Sequence, residues 1–160
     1  MLGKKEFYKA IELTQLVSLD LIIMDDSDRI LVGRSTNNPA KGYYFVPGSR
    51  IYKNETLNDA VRRVSLYELG FEIKKSNTSF YGIYDHIYDN NFLDNEFGTH
   101  YVCNAISYKV CDQEKKTIEK KMMGQHDDVK WMTKEELLAN DNVHKYTKNY
   151  FVIDADNKFN

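Results

Sequence analysis

Two cysteines in 160 residues, Cys103 and Cys111, are too few for a disulfide framework or a cysteine-rich metal site. A formal net charge of −2 gives no electrostatic case for nucleic acid or an anionic membrane as partner. No apolar run approaches the roughly 18 residues of a membrane span. The N-terminal stretch MLGKKEFYKAIELTQL is amphipathic and mixed in charge, unlike a secretory leader. Internal repeats, low-complexity tracts and a visible domain boundary are also missing. These absences leave one compact domain over residues 1–160, expected in the cytoplasm with free thiols and with Cys103 buried.

The chain is rich in aromatics, with 12 Tyr and 8 Phe that suit a core and can also stack on a base or a sugar. Residues 4–13 read as a short helix with Phe7, Ala10 and Ile11 on one side. From Val17 to Met24 the pattern alternates. Val17, Leu19, Leu21 and Ile23 share one face, and Ser18, Asp20 and Ile22 share the other. Asp is rare inside strands, so Asp20 suggests a less apolar face such as a cleft floor. The turn DDSD (25–28) and a second strand over 29–33 suggest a hairpin, followed by the polar loop RSTNNPAKG (34–42).

Pro47-Gly48 ends the apolar run Tyr43–Val46. Asn54, Glu55 and Thr56 offer acceptors for a helix start. Leu57, Val61 and Val64 form a helical stripe, and Gly70 provides its stop. Glu68 falls on that stripe. A carboxylate there requires a compensating cation, an Arg or a helix N-terminus, unless the stripe drifts and Glu68 reaches solvent. Strands are expected over 80–88 and 99–110, with a charged, solvated stretch at 111–116. His86 and His100 read as hydrogen-bonded structural imidazoles. Gln125-His126-Asp127-Asp128 is a dense polar loop before a strand carrying Trp131, and a neutral His can take a proton near pH 7. Thr133 and Glu136 make a capping box, and 141–151 reads as another short helix.

The stretch PGSRIYKNETLNDAVRRVSLYELGF (47–71) resembles a Nudix box, G-x5-E-x7-R-E-U-x-E-E-x-G-U, where U is apolar. Glu55, Arg63, Glu68 and Gly70 match. Ser49 stands at the first Gly, and Val64 and Tyr67 stand where two glutamates belong. Together with LVSLD (16–20), GYYFVPGSR (42–50), FYGIYDHIYDNNF (80–92), THYV (99–102), QHDD (125–128) and DNVH (141–144), the chain resembles the GDP-mannose mannosyl hydrolases of the Nudix superfamily over nearly its full length.

That resemblance implies an α/β Nudix fold, a mixed β-sheet sandwiched between α-helices, with the box at about 48–71, and a homodimer. It implies Mg²⁺, with Mn²⁺ able to substitute, held by the Gly48 carbonyl, Glu68 and Gln125. His126 would be the general base, and Asp20 would lie in the sugar site. Leu2 and Phe7 would contact guanine, and Arg50, Arg63 and Tyr101 the diphosphate or sugar. The family's usual Arg is Ser35 here, with Arg34 one position earlier; in a strand that offset points the side chain to the opposite face. The implied reaction is attack of water at sugar C1 of GDP-mannose, GDP-fucose or another GDP-hexose, with inversion. One box carboxylate suits stabilising a departing diphosphate better than activating water. The alternatives are a pyrophosphohydrolase giving GMP and sugar 1-phosphate, or a nucleotide-sugar-binding domain without turnover.

Overall fold

The computed structural model describes residues 3–93, 96–122 and 128–152. Helix α1 (Lys4–Leu13) leads into strand β1 (Leu16–Met24), β2 (Ile30–Arg34), β3 (Tyr44–Phe45) and β4 (Gly48–Arg50). Helix α2 (Leu57–Leu69) follows, then a 3-10 turn at Lys75–Asn77, β5 (Ser79–Tyr88) and β6 (Thr99–Lys109). The described chain then runs through α3 (Asp112–Met122), β7 (Val129–Met132), α4 (Lys134–Ala139) and α5 (Lys145–Asn149). Among the described residues, no helix is long and apolar enough to cross a membrane.

The seven strands form one mixed sheet in the order β3-β2-β1-β6-β5, with β4 paired to β1 and β7 to β2. Strand β1 runs parallel to β6 from the pair Leu16–Tyr101 to the pair Met24–Lys109, and the other pairings are antiparallel. The alternation of β1 divides the core as its sequence suggests. Leu19, Leu21 and Ile23 pack with Val61, Val64 and Leu69 of α2 and Ile118 of α3. Ile22 packs on the other side with Leu137, Val143 and Phe151. The sheet is thus sandwiched between helical layers, the α/β arrangement that the Nudix resemblance implies.

Helix α2 begins and ends where its sequence dictates. The Thr56 hydroxyl accepts the Asp59 N–H, and Gly70 takes φ 87°, the left-handed geometry that glycine adopts without a Cβ clash. The capping box at Thr133 and Glu136 is present.

Three local features differ from the sequence reading. The expected hairpin is slight, because β1 meets β2 at Met24–Ile30 while β2 pairs along its length with β7. Residues 48–50 form a strand, β4, because they lie antiparallel to β1 despite having only three residues to signal it. Residues 112–122 are helical rather than a solvated run, since Ile118 is fully buried against α2 and anchors the charged segment.

The same helix ties down the β1–β2 turn. Asp25 is 4% exposed. Its carboxylate accepts the Ser27 and Arg29 N–H groups at 3.0 Å, the Arg29 Nε at 3.0 Å and the Lys115 Nζ of α3 at 2.6 Å. Burial opposes its charge, but these donors prevail and hold the carboxyl well below the usual carboxylate range. A depressed folded value means stability that is full above the ordinary carboxylate range and is lost as pH falls from there down through the folded value. Asp25→Asn is therefore expected to cost about 1–3 kcal/mol in urea unfolding at pH 7. It should also flatten the acid decline of stability below about pH 4; an unchanged acid profile would show that Asp25 contributes little.

Candidate active site

The cleft forms where β4 crosses the middle of β1. Ser18, Asp20, Gly48, Arg50, His86 and Tyr101 line a cavity of about 330 Å³, with Phe7 of α1 at its edge. A second chamber of about 280 Å³ shares Phe45, Val46, Gly48 and Tyr88 with the first and adds Ser35 and Glu68. The strand register explains this: Asp20 lies directly opposite Gly48 on β4 and Ala105 on β6. Gly48 is required by close approach. A Cβ there would collide with the Asp20 carboxylate and lie 2.8 Å from the Leu19 carbonyl oxygen.

Asp20 is 6% exposed, and its Oδ2 accepts the Tyr150 hydroxyl proton at 2.5 Å. Burial pushes its pKa up to about 6; hydrogen bonds from Tyr150 and Cys103 pull downward, and the charge of Glu68 adds upward. Asp20 therefore remains largely ionised at pH 7. Because the Tyr150 proton goes to Asp20, its oxygen can accept from His86 Nε2, 3.2 Å away. Tyr150 also lies 3.4 Å from the Cys103 sulfur. His86 stacks on Tyr146 with ring centres 4.5 Å apart, and burial lowers its pKa to about 4, so it is neutral at pH 7.

The donor sets differ in the cation they suit. Asp20, His86 and Cys103 place one ligand atom each within 4.8 Å of one another, but the Tyr150 hydroxyl already bonds to all three. A thiol is also a poor partner for a hard cation. The second chamber is lined by Gly48 and the half-buried Glu68, and a carboxylate oxygen is the kind of donor that suits a divalent hard cation. Glu68 thus neither enters the core nor simply faces bulk water. Val64 is 1% exposed inside the core, and Tyr67 is 65% exposed on another surface, near Lys121.

Of the residues singled out in the sequence, Phe7, Asp20, Gly48, Arg50 and Tyr101 gather around the first chamber, and Ser35 and Glu68 around the second. Arg34 is the last residue of β2 and does not line either chamber; its Nε donates to the Gly42 carbonyl at 3.0 Å. Arg63 also stands behind the cleft. It pairs with Glu55 at 2.6 Å and donates to the Arg50 carbonyl at 2.9 Å. Leu2, Gln125 and His126 lie outside the described residues. The cleft roles of His86, Tyr88 and Tyr150 were missed. The alternation Tyr84, His86, Tyr88 was a usable signal for β5, whereas nothing local links Tyr150 to Asp20, 130 residues away.

Gly48→Ala is expected to cost about 1–3 kcal/mol, because either β4 or the Asp20 side chain must shift. Urea unfolding measures this, and a cost below about 0.5 kcal/mol would mean that the two strands part easily.

Comparison with known proteins supports this architecture. The sequence profile described as the NUDIX domain matches residues 14–151. The chain is 38% identical over 97 residues to the low-salt glycan biosynthesis protein Agl8 of Haloferax volcanii, a match spanning 61% of this chain and 60% of that protein. A MutT protein from Methanosarcina mazei Go1 superposes with a TM-score of 0.65 at 18% identity, covering 86% of this chain and 90% of the other. A MutT Nudix hydrolase from Burkholderia pseudomallei gives 0.65 at 20% identity, covering 86% and 96%. At these identities the two structures speak for the fold alone. The matched profile, taken with the box helix and its cleft, shows that the chain belongs to the NUDIX domain family, whose members act on nucleotide derivatives and generally use divalent metals such as Mg²⁺.

Proposed function

We propose that this protein hydrolyses GDP-mannose, or a related GDP-hexose such as GDP-fucose, to GDP and the free sugar. The observation that carries this reading is the state of the box helix. Of positions 64, 67 and 68, only Glu68 reaches the cleft, since Val64 is core and Tyr67 faces elsewhere. That is a sparse oxygen set for gathering metals around a water that attacks phosphorus. It suits a reaction in which water attacks sugar C1 and the diphosphate departs.

In this reading the Gly48 carbonyl, Glu68 and Gln125 would hold Mg²⁺ or Mn²⁺, which when bound offsets the negative charge on the departing diphosphate. Arg50 and Tyr101 meet the diphosphate and sugar, Phe7 and Leu2 belong to the guanine end, and Ser35, which lines the second chamber, stands where the family's usual Arg would be. Arg63 serves through Arg50 and Glu55. Asp20 holds sugar hydroxyls and stabilises the cationic character that develops at C1. His126 accepts the proton of the attacking water as the new C1–O bond forms and the bond to the diphosphate breaks, inverting the anomeric centre. The kinship with a glycan biosynthesis protein is consistent with a sugar-nucleotide substrate. A homodimer and a cytoplasmic location belong to the same proposal.

The test is hydrolysis of GDP-mannose with Mg²⁺ in ¹⁸O-labelled water, following phosphorus and anomeric proton signals together. The expected outcome is β-mannose as the first sugar product with unlabelled GDP. GMP with mannose 1-phosphate would show attack at phosphorus, and absence of turnover on GDP-mannose and GDP-fucose would favour a binding domain. His126→Ala should lower kcat by about 10²–10⁴-fold while GDP-mannose still binds.

A further inference from the structure

The side chain of Arg50 forms a partition. It lines the first chamber of the cleft and also a larger groove of about 880 Å³ beneath α1, lined by Ala10, Val17 and Ile51 among others. A flexible guanidinium at such a boundary can point into either space. Here it is bracketed. Its central carbon lies 3.7 Å from the centre of the Phe7 ring and 5.2 Å from that of Tyr52.

Tyr52 is itself fixed. Its N–H donates to Glu55 at 2.8 Å, and the Arg63 guanidinium lies 4.0 Å from the centre of its ring. Arg63 is neutralised by both oxygens of Glu55 and holds the Arg50 carbonyl. The result is an alternating array of Phe7, Arg50, Tyr52 and Arg63 that joins α1, β4 and α2. An aromatic face attracts a cation through its quadrupole. A guanidinium stacked on a ring keeps its N–H donors in its own plane, available to a planar or multidentate acceptor. Fixing that plane beforehand removes the entropy otherwise lost when an anion is bound.

We propose that Tyr52 is a positioning residue which, with Phe7, brackets the Arg50 guanidinium and aims it into the cleft to receive the diphosphate of the substrate. This rests on the GDP-sugar reading for its ligand, but the bracket exists independently of it. It also gives Phe7 a second role. Its ring lies against Arg50 and 5.1 Å from the ring of Phe92, so docking of α1 is coupled to the cation of the cleft.

Two measurements test the proposal on the full chain. The first needs no ligand: ¹⁵N relaxation of the arginine Nε–H groups, of which there are five, with Arg50 assigned through Arg50→Lys. The Arg50 Nε should be rigid in the wild type and in Tyr52→Phe, which keeps the ring, and mobile on the nanosecond scale in Tyr52→Leu. An Arg50 Nε that stays rigid in Tyr52→Leu overturns the bracket. The second is calorimetric binding of GDP, inorganic pyrophosphate and guanosine. Tyr52→Leu should weaken GDP and pyrophosphate about tenfold, leave guanosine unchanged, and have little further effect in an Arg50→Lys background. An equal loss in both backgrounds overturns the proposal, because Tyr52 would then act without Arg50. A wild type that binds pyrophosphate but not GDP counts against the GDP-sugar reading alone.

Discussion

The parallel ladder between β1 and β6 is the constraint from which the cleft follows. Nine successive residues of β1 are paired to β6, so β1 cannot shift without turning every side chain to the opposite face. With its register fixed, Leu19, Leu21 and Ile23 must meet α2, and Ile22 must meet the opposite layer. Asp20 is then left in the interior of the central strand, where an ionised group is costly unless hydrogen-bonded. The cleft surrounds that carboxylate. Tyr150 supplies it with a proton donor, β4 approaches it through a residue without a side chain, and a cavity of about 330 Å³ lies beside it.

Much of this was legible because some signals are local and redundant. Helix α2 carries a polar start, an apolar stripe and a glycine stop, and the structure uses all three. Asp20 stood out because a carboxylate in an alternating strand breaks the pattern. The losses occurred where the stabilising partner is distant. Residues 48–50 are a strand only because β1 lies beside them. Residues 111–116 look solvated until Ile118, further along the same helix, is placed against α2. The short link between β1 and β2 favoured a hairpin, yet β7, almost a hundred residues later, takes most of the edge of β2. Tyr150 and Asp20 meet through the fold alone, and no periodicity within either segment could announce it.

The charges around the cleft are arranged to serve different tasks. Glu55 is committed to Arg63 and to the Tyr52 backbone, so it shapes the loop entering α2 and leaves the cleft to other acids. Glu68 opens onto the second chamber, and Asp20 lies in the floor of the first. Their mutual repulsion contributes to the elevated proton affinity of Asp20, although burial is the larger cause. Gly48 stands in both chambers. One backbone position therefore sets the spacing between the Glu68 and Asp20 carboxylates. Val64 and Tyr67 fit this division, because the helix gives one position to the core and the other to solvent instead of presenting a cluster of acids.

The second layer around these groups comes from both ends of the described chain. From the N-terminal side, α1 brings Phe7 onto Arg50. From the C-terminal side, α5 and the turn after it bring Tyr146 beneath His86 and Tyr150 onto Asp20. The Tyr146 hydroxyl, moreover, bonds to the N–H and carbonyl of Ile87, locking β5 beside the cleft. The sheet alone would leave Arg50 free to swing and Asp20 buried without its donor. The polar groups of the cleft become preorganised only when both terminal segments have docked. The geometry of the cleft is therefore a property of the assembled fold rather than of the box helix, and the same box helix in a chain lacking these aromatic partners would not by itself reproduce it.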